Sequence, residues 1–265
     1  RTAAAVPVVK VADTGFNTDE ICALTEKAYD RKVTIVVFPE LCITGSTCGD
    51  LFRQTLLVRS AEESAERIAA FSKGMNMVMT VGAPVPYAGR LYNCSIVIRD
   101  GRIAGIVPKI HLSNEDRRIF SSGSDFLNAD KDFEIRYAGQ KCPISPDLQF
   151  KVGDTVFAVE TGEDLWSPIP PSSGQAMSGV HVIAHPSAEN EVLMTDRYRS
   201  RLLSQHSAGT MTGYIHSPAG FGESTRDNVY AGAASIWENG ECLKENERYL
   251  TESSLTIADI DIEKL

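Results

Sequence analysis

The sequence predicts an α/β protein built on mixed sheets, and three observations lead there. Apolar, β-branched runs such as "VTIVVF" (33–38) have the unbroken hydrophobicity of strands covered on both faces. Amphipathic helical stretches alternate with those runs along the chain. Two Asp-Gly or Asn-Gly pairs, at 100–101 and 239–240, sit between strand-like segments and predict type I′ hairpins, which are antiparallel. Helices punctuated by hairpins imply two sheets with helices outside them.

Taken in order, "TAAAVPVVKV" (2–11) reads as a strand, followed by a helix from Asn17 as N-cap to about Asp30. After "VTIVVF", a helix over roughly 50–73 places Leu57, Ala61, Ala65, Ile68 and Phe71 on one face. "NMVMTVGAPV" and "YNCSIVIRDGRIAGIVPK" continue as strands through the Asp100-Gly101 turn. His111 to Pro146 is polar and aperiodic, an excursion from the core expected to be mobile. Then follow "TVFAVE", "VHVIAHPSA", a helix near 195–209, "MTGYIHSPA", the Asn239-Gly240 hairpin and a closing strand in "SSLTIADIDI". One domain over 1–265 is expected, with no internal repeat.

A net charge of −9 argues against a nucleic-acid surface, and no apolar run approaches the roughly 20 residues of a membrane span. Six cysteines without CxxC pairing predict reduced thiols. His181 and His185 are four apart in a strand, a spacing that does not converge on a metal, so no metal is expected. No P-loop or Rossmann glycine fingerprint is present, which gives no ATP or dinucleotide site. The chain opens without Met and reads as a fragment or as lacking its first residues.

Three polar positions end apolar strands, where α/β folds gather their sites: Glu40 in "VVFPE", Lys109 in "IVPK", and Gly162 beside Glu163 in "AVETGEDLW". Taken alone, Glu40 also reads as a helix N-terminal or solvated residue and Lys109 as a solvated loop lysine. Together, an acid, an ammonium and a strand-end elbow suit amide hydrolysis through a covalent intermediate, with proton transfer by the acid and charge stabilisation by the lysine.

"VVFPELCITGSTCGDLF", "GEDLWSPIPPSS", "AHPSAENE" and "SPAGFGESTRDNVYAGAASIWENGE" resemble the nitrilase, or carbon–nitrogen hydrolase, superfamily. Within it they are similar to the glutaminase domains of glutamine-dependent NAD synthetases, in register over essentially the whole chain. The resemblance implies a four-layer α-β-β-α sandwich that assembles into oligomers in the cytoplasm. It implies glutamine or another small amide as ligand, no cofactor in this domain, and ATP and the NAD precursor only on a separate synthetase domain or subunit. It assigns Glu40 as general base, Lys109 at the oxyanion and the nucleophile, a cysteine in the family, to position 162, here glycine. Trp166, Ser187, Glu191 and Glu163 are the implied substrate contacts, and Glu115 would replace a second glutamate if its loop re-registers. Thr161, Cys42 and Cys142 are the neighbouring alternatives for a nucleophile. As written, the chain is expected to be inactive, either a disarmed glutaminase or a non-catalytic binding module.

Overall fold

In the computed structural model, which describes residues 1–130 and 133–265, the chain runs β1 Thr2–Val6, α1 Thr14–Asp30, β2 Ile35–Val37, α2 Thr55–Phe71, β3 Val78–Tyr87, β4 Arg90–Arg99 and β5 Arg102–Pro108. It continues β6 Glu134–Tyr137, β7 Gln140–Pro143, β8 Gln149–Val152, β9 Thr155–Val159, α3 Pro171–Met177 and β10 Val182–Ser187. The last elements are α4 Thr195–Thr210, β11 Gly213–Pro218, β12 Ser235–Glu238, β13 Glu241–Glu245 and β14 Ser254–Ala258.

Two six-stranded sheets form, in the orders β14-β1-β2-β3-β4-β5 and β13-β12-β11-β10-β9-β8. Each has a parallel centre, β1-β2-β3 and β9-β10-β11, flanked by antiparallel strands, so both sheets are mixed as expected. Val37, Val78 and Val107 of the first meet Phe157, Val159, Ala184 and Ile215 of the second in an apolar interface. Outside the first sheet, Ile21, Leu24, Ala61, Ala65 and Ile68 of α1 and α2 cover Ile96 and Ile98. Outside the second, Leu203 of α4 packs with Ile183, Tyr214 and Trp237. Helix, sheet, sheet and helix are therefore four layers.

Both hairpin turns stand where the sequence puts them. Asp100 and Gly101 have φ of +47° and +79°, Asn239 and Gly240 +46° and +89°, as a type I′ turn requires. All six cysteines are free. Among the described residues no helix is long and apolar enough to cross a membrane.

The helix starts differ from expectation. Asp13 caps α1, accepting from Phe16 N at 3.0 Å, while Asn17 is buried one turn inside and ties Lys10 N (2.7 Å), Lys10 O and Ile43 O (3.0 Å each). The segment before α2 is an irregular 3-10 turn over 46–53, because the Glu223 carboxylate takes the N–H groups of Ser46 (2.7 Å) and Thr47 (3.0 Å). Phe71 leaves the buried face and is 38% exposed.

The excursion from His111 to Pro146 is also more ordered than its polarity suggests. Ile135, Tyr137 and Cys142 of the β6–β7 hairpin are buried in the outer core of the first sheet. Lys131 and Asp132 lie outside the described residues. Strand β8, which the sequence reading passed over, pairs antiparallel with β9.

Candidate active site

β2, β5 and β9 end on one side of the molecule, and each delivers one predicted residue. After β2 the chain turns sharply through Leu41 (φ +53°), which buries Glu40 at 3% exposure. That turn lies directly on the backbone of Gly82 in β3. A Cβ at Gly82 would overlap Leu41 N and stand 2.7 Å from Glu40 C and Pro39 O. Because the obstructing atoms are backbone, Gly82→Ala is expected to displace the Glu40 turn and destabilise by about 1–3 kcal/mol. The melting temperature should then fall by about 2–4 °C per kcal/mol, and an unchanged value would show that the turn yields freely.

Lys109, 2% exposed, follows Pro108 at the end of β5, and its carbonyl accepts from Gly123 N at 2.7 Å. A side chain at Gly123 would come within 2.6 Å of Pro108 O, so the excursion closes over the lysine at a glycine. Gly162 follows β9 with φ +52°. A Cβ built on it would point into the charged centre, 2.5 Å from Glu40 Oε2 and 3.1 Å from Lys109 Nζ. The three strand-end positions therefore converge on one point.

The centre is a buried charge cluster. Lys109 Nζ donates to Glu40 Oε1 at 2.6 Å and Asp116 Oδ2 at 3.1 Å, and it contacts Glu163. Carboxylate oxygens of Glu40, Asp116 and Glu163 lie within 4.8 Å of one another, a spacing that could hold a cation; the lysine is the cation placed against all three. Glu40 also accepts from Asn93 Nδ2 (2.6 Å) and Ala188 N (2.9 Å). Burial pushes the Glu40 carboxyl up to about 7 against the opposing pull of Lys109, a value at which a carboxyl can take or release a proton near neutrality. Burial alone would lower Lys109, but Glu40, Glu163 and Asp116 outweigh it and hold the ammonium well above its ordinary value.

The elbow is braced from behind. His185 Nε2 lies 3.1 Å from the Gly162 carbonyl, which can only accept, so this nitrogen carries the proton. His185 Nδ1 must then accept from His216 Nδ1–H at 2.9 Å. Burial lowers the pKa of both rings, His185 to about 4, and keeps the pair neutral. Asp164 clamps the lysine loop by accepting from His111 N (2.6 Å) and Ile110 N (3.3 Å).

None of Thr161, Cys42 and Cys142 lines the central cavity. The Thr161 hydroxyl is 3.0 Å from Ser95 Oγ in the buried region between the sheets. Cys42 packs its sulfur on Gly82 N at 3.3 Å, and burial pushes its thiol up to about 12. Cys142 is in the outer core, pushed up to about 11.

Of the implied contacts, Glu163 lines the central cavity of about 130 Å³, whereas Ser187 is fully buried and outside its lining, accepting from Glu189 N at 3.2 Å. Trp166 supports the wall, donating its indole N–H to Glu189 and stacking on Tyr198 with centroids 5.2 Å apart. Two further expectations are corrected. Glu115 is exposed, and its neighbour Asp116 meets the lysine instead. Glu191 turns away to Arg199 (3.0 Å) and Arg248 (3.5 Å), and Glu189 and Asn190 line the cavity. Sequence reasoning also missed Asn93, whose signal is a lone amide within an apolar strand. A larger cleft of about 430 Å³, beside Arg199 and Arg248, contains none of the central charge cluster.

Residues 2–265 match the family model described as carbon-nitrogen hydrolase. The chain is 32% identical over its full length to a glutamine-dependent NAD(+) synthetase of Mycobacterium leprae, and 26% identical over 89% of its length to one of Thermotoga maritima. It spans 39% and 38% of those proteins. Among solved structures, a glutamine-dependent NAD(+) synthetase from Cytophaga hutchinsonii superimposes with a TM-score of 0.85 at 25% identity, covering 98% of this chain and 43% of that one. The NitN amidase from Nesterenkonia sp. AN1 shares the fold, with a TM-score of 0.78 at 15% identity, over 99% of this chain and 93% of that one.

Proposed function

We propose that this chain, which belongs to the carbon–nitrogen hydrolase family, is a glutaminase-type domain of NAD synthesis whose covalent step is disabled at Gly162. The observation that carries the reading is the direction of the missing side chain: the Cβ vector of position 162 runs toward both Glu40 and Lys109. With a thiol there, Glu40 would remove the sulfur proton and the sulfur would attack the carboxamide carbon. Lys109 would balance the charge on the oxygen, and the C–N bond would break as Glu40 returns the proton to the leaving ammonia. Water would then hydrolyse the thioester to glutamate, so the cycle needs no cofactor. In this chain the first bond cannot form, and a bound amide stays intact.

On this reading ATP and the NAD precursor are used by a separate synthetase domain or subunit, and the domain works within a homo-oligomer. Free thiols fit a reducing, cytoplasmic setting. Gly162 equally favours a second reading, a non-catalytic module that retains the pocket for binding or assembly. Ammonia release from glutamine, measured on this chain and on Gly162→Cys with and without a synthetase domain, tests the proposal. The parent is expected to match the protein-free control and the variant to exceed it. Turnover by the parent would overturn the inactivity. Silence from both, with no glutamine-induced rise in melting temperature, would overturn the disarmed-glutaminase reading.

A further inference from the structure

We propose that the site as it stands is a thioesterase: it hydrolyses short-chain acyl thioesters by direct attack of water, with Glu40 as general base and Lys109 at the carbonyl oxygen. The proposal rests on the central cavity being the acyl pocket of the function proposed above, and it adds a substrate class that needs no side chain at 162. With glycine at that position, the chain keeps the base and the ammonium but brings no attacking atom of its own. A thioester supplies its own sulfur, and water supplies the attacking oxygen.

The geometry gives the two oxygens of Glu40 different tasks. Oε1 accepts from Lys109 Nζ and from Asn93 Nδ2, both at 2.6 Å, and is the anchored end. Among the described residues Oε2 accepts only the Ala188 N–H, at 2.9 Å, so a lone pair remains for a proton. Oε2 is also the oxygen that faces position 162, 2.5 Å from a Cβ built there, and glycine leaves that side of it uncovered. Glu40 and Lys109 both line the cavity, whose volume of about 130 Å³ restricts the acyl chain to a few carbons. The lysine has three N–H bonds and three acids, Glu40, Asp116 and Glu163, so a carbonyl oxygen must replace one contact. Glu163, the most exposed of the three at 35%, is the one to yield. In the reaction Oε2 takes a proton from water, and the water oxygen bonds to the carbonyl carbon while Lys109 balances the charge on the carbonyl oxygen. The C–S bond then breaks and Oε2 returns the proton to the thiolate, leaving a carboxylic acid and a free thiol. Nothing but water is consumed. A thiol, with a pKa of about 8.5, leaves far more readily than an amine, so a thioester reacts where an amide needs the covalent route.

Proton NMR would follow butanoate and ethanethiol released from S-ethyl thiobutanoate by this chain, by Glu40→Gln and by buffer alone. Ethyl butanoate and butyramide, whose leaving groups are poor, are the comparisons and are expected to stay intact. The parent is expected to hydrolyse the thioester about 100- to 10,000-fold faster than Glu40→Gln, the range of general-base catalysis. Its protein-dependent rate should climb and level off as pH passes about 7, where burial, opposed by Lys109 and reinforced by Glu163 and Asp116, places the Glu40 carboxyl. Background hydrolysis by hydroxide keeps climbing. Equal rates for parent and Glu40→Gln, or no gain over buffer, overturn the proposal. Should Glu40→Gln fail to fold, the parent decides alone: a rate that never levels off, or that butyramide leaves untouched, overturns it. If Gly162→Cys releases ammonia from glutamine while the parent leaves the thioester intact, only this proposal falls. If neither reaction occurs and calorimetry finds no butyramide binding, the reading of the cavity falls with it.

Discussion

Gly162→Cys is expected to raise ammonia release from glutamine at least about 1,000-fold over the parent, while losing about 1–3 kcal/mol of stability. Deleting one member of a covalent triad removes about 10⁶ of rate in a reference hydrolase, which sets the ceiling for recovery. The gain should fall short of that ceiling because the site has closed around the glycine. The new Cβ would stand 2.5 Å from Glu40 Oε2, an atom held by the Ala188 N–H at 2.9 Å, so the carboxylate must swing aside. The residue also enters the left-handed region at φ +52°, where a side chain costs about 1–2 kcal/mol. Gly162→Ala separates the two effects: it carries the same Cβ and strain, and should lose the same stability while releasing no ammonia. Melting temperatures and a coupled ammonia assay on the three proteins decide the matter. If the thiol variant is no faster than the alanine variant, Glu40 and Lys109 are not poised for a nucleophile at 162.

What was legible in the sequence was local or sat at a strand end. An Asp-Gly or Asn-Gly pair needs only its own backbone geometry, so both hairpins were readable. Glu40, Lys109 and Gly162 each follow an apolar strand, and strand ends converge in this architecture. The misses came from tertiary partners. Glu115 and Asp116 are chemically alike, and the register of their one-turn helix is set by Ser113 Oγ accepting from Asp116 N at 3.0 Å. Glu191 looked like a pocket residue until Arg199, eight positions on and buried in α4, drew it away and left Glu189 at the wall. Asn17 reads as a helix cap, yet its amide is consumed by Lys10 and Ile43, and Asp13 caps instead.

Replacing the lysine is expected to have the largest effect on stability. Lys109→Met should lose about 3–5 kcal/mol at pH 8, because removing one partner of a buried ion pair leaves its acid uncompensated. The loss should shrink at pH 5.5. In the folded parent the Glu40 carboxyl lies at about 7, above its ordinary 4.5, so folding favours its protonated form. Its contribution to stability is therefore fully present below about 4.5 and disappears as pH rises through about 7. Lys109 is what pulls that pKa down, so without it Glu40 should titrate higher still and carry a heavier penalty at pH 8. At pH 5.5 it would simply hold a proton, and only the partly exposed Asp116 and Glu163 would lack their ammonium. Denaturant unfolding of parent and variant at both pH values measures the difference. An equal loss at the two pH values would mean that the damage is packing rather than charge, and the double variant with Glu40→Gln distinguishes these directly. If charge is the cause, removing the buried acid restores part of what Lys109→Met loses, a coupling of the size expected between contacting residues, about 0.5–3 kcal/mol. The same balance bears on function, since an acid near neutrality, held there by burial against a single ammonium, can accept a proton and give it back.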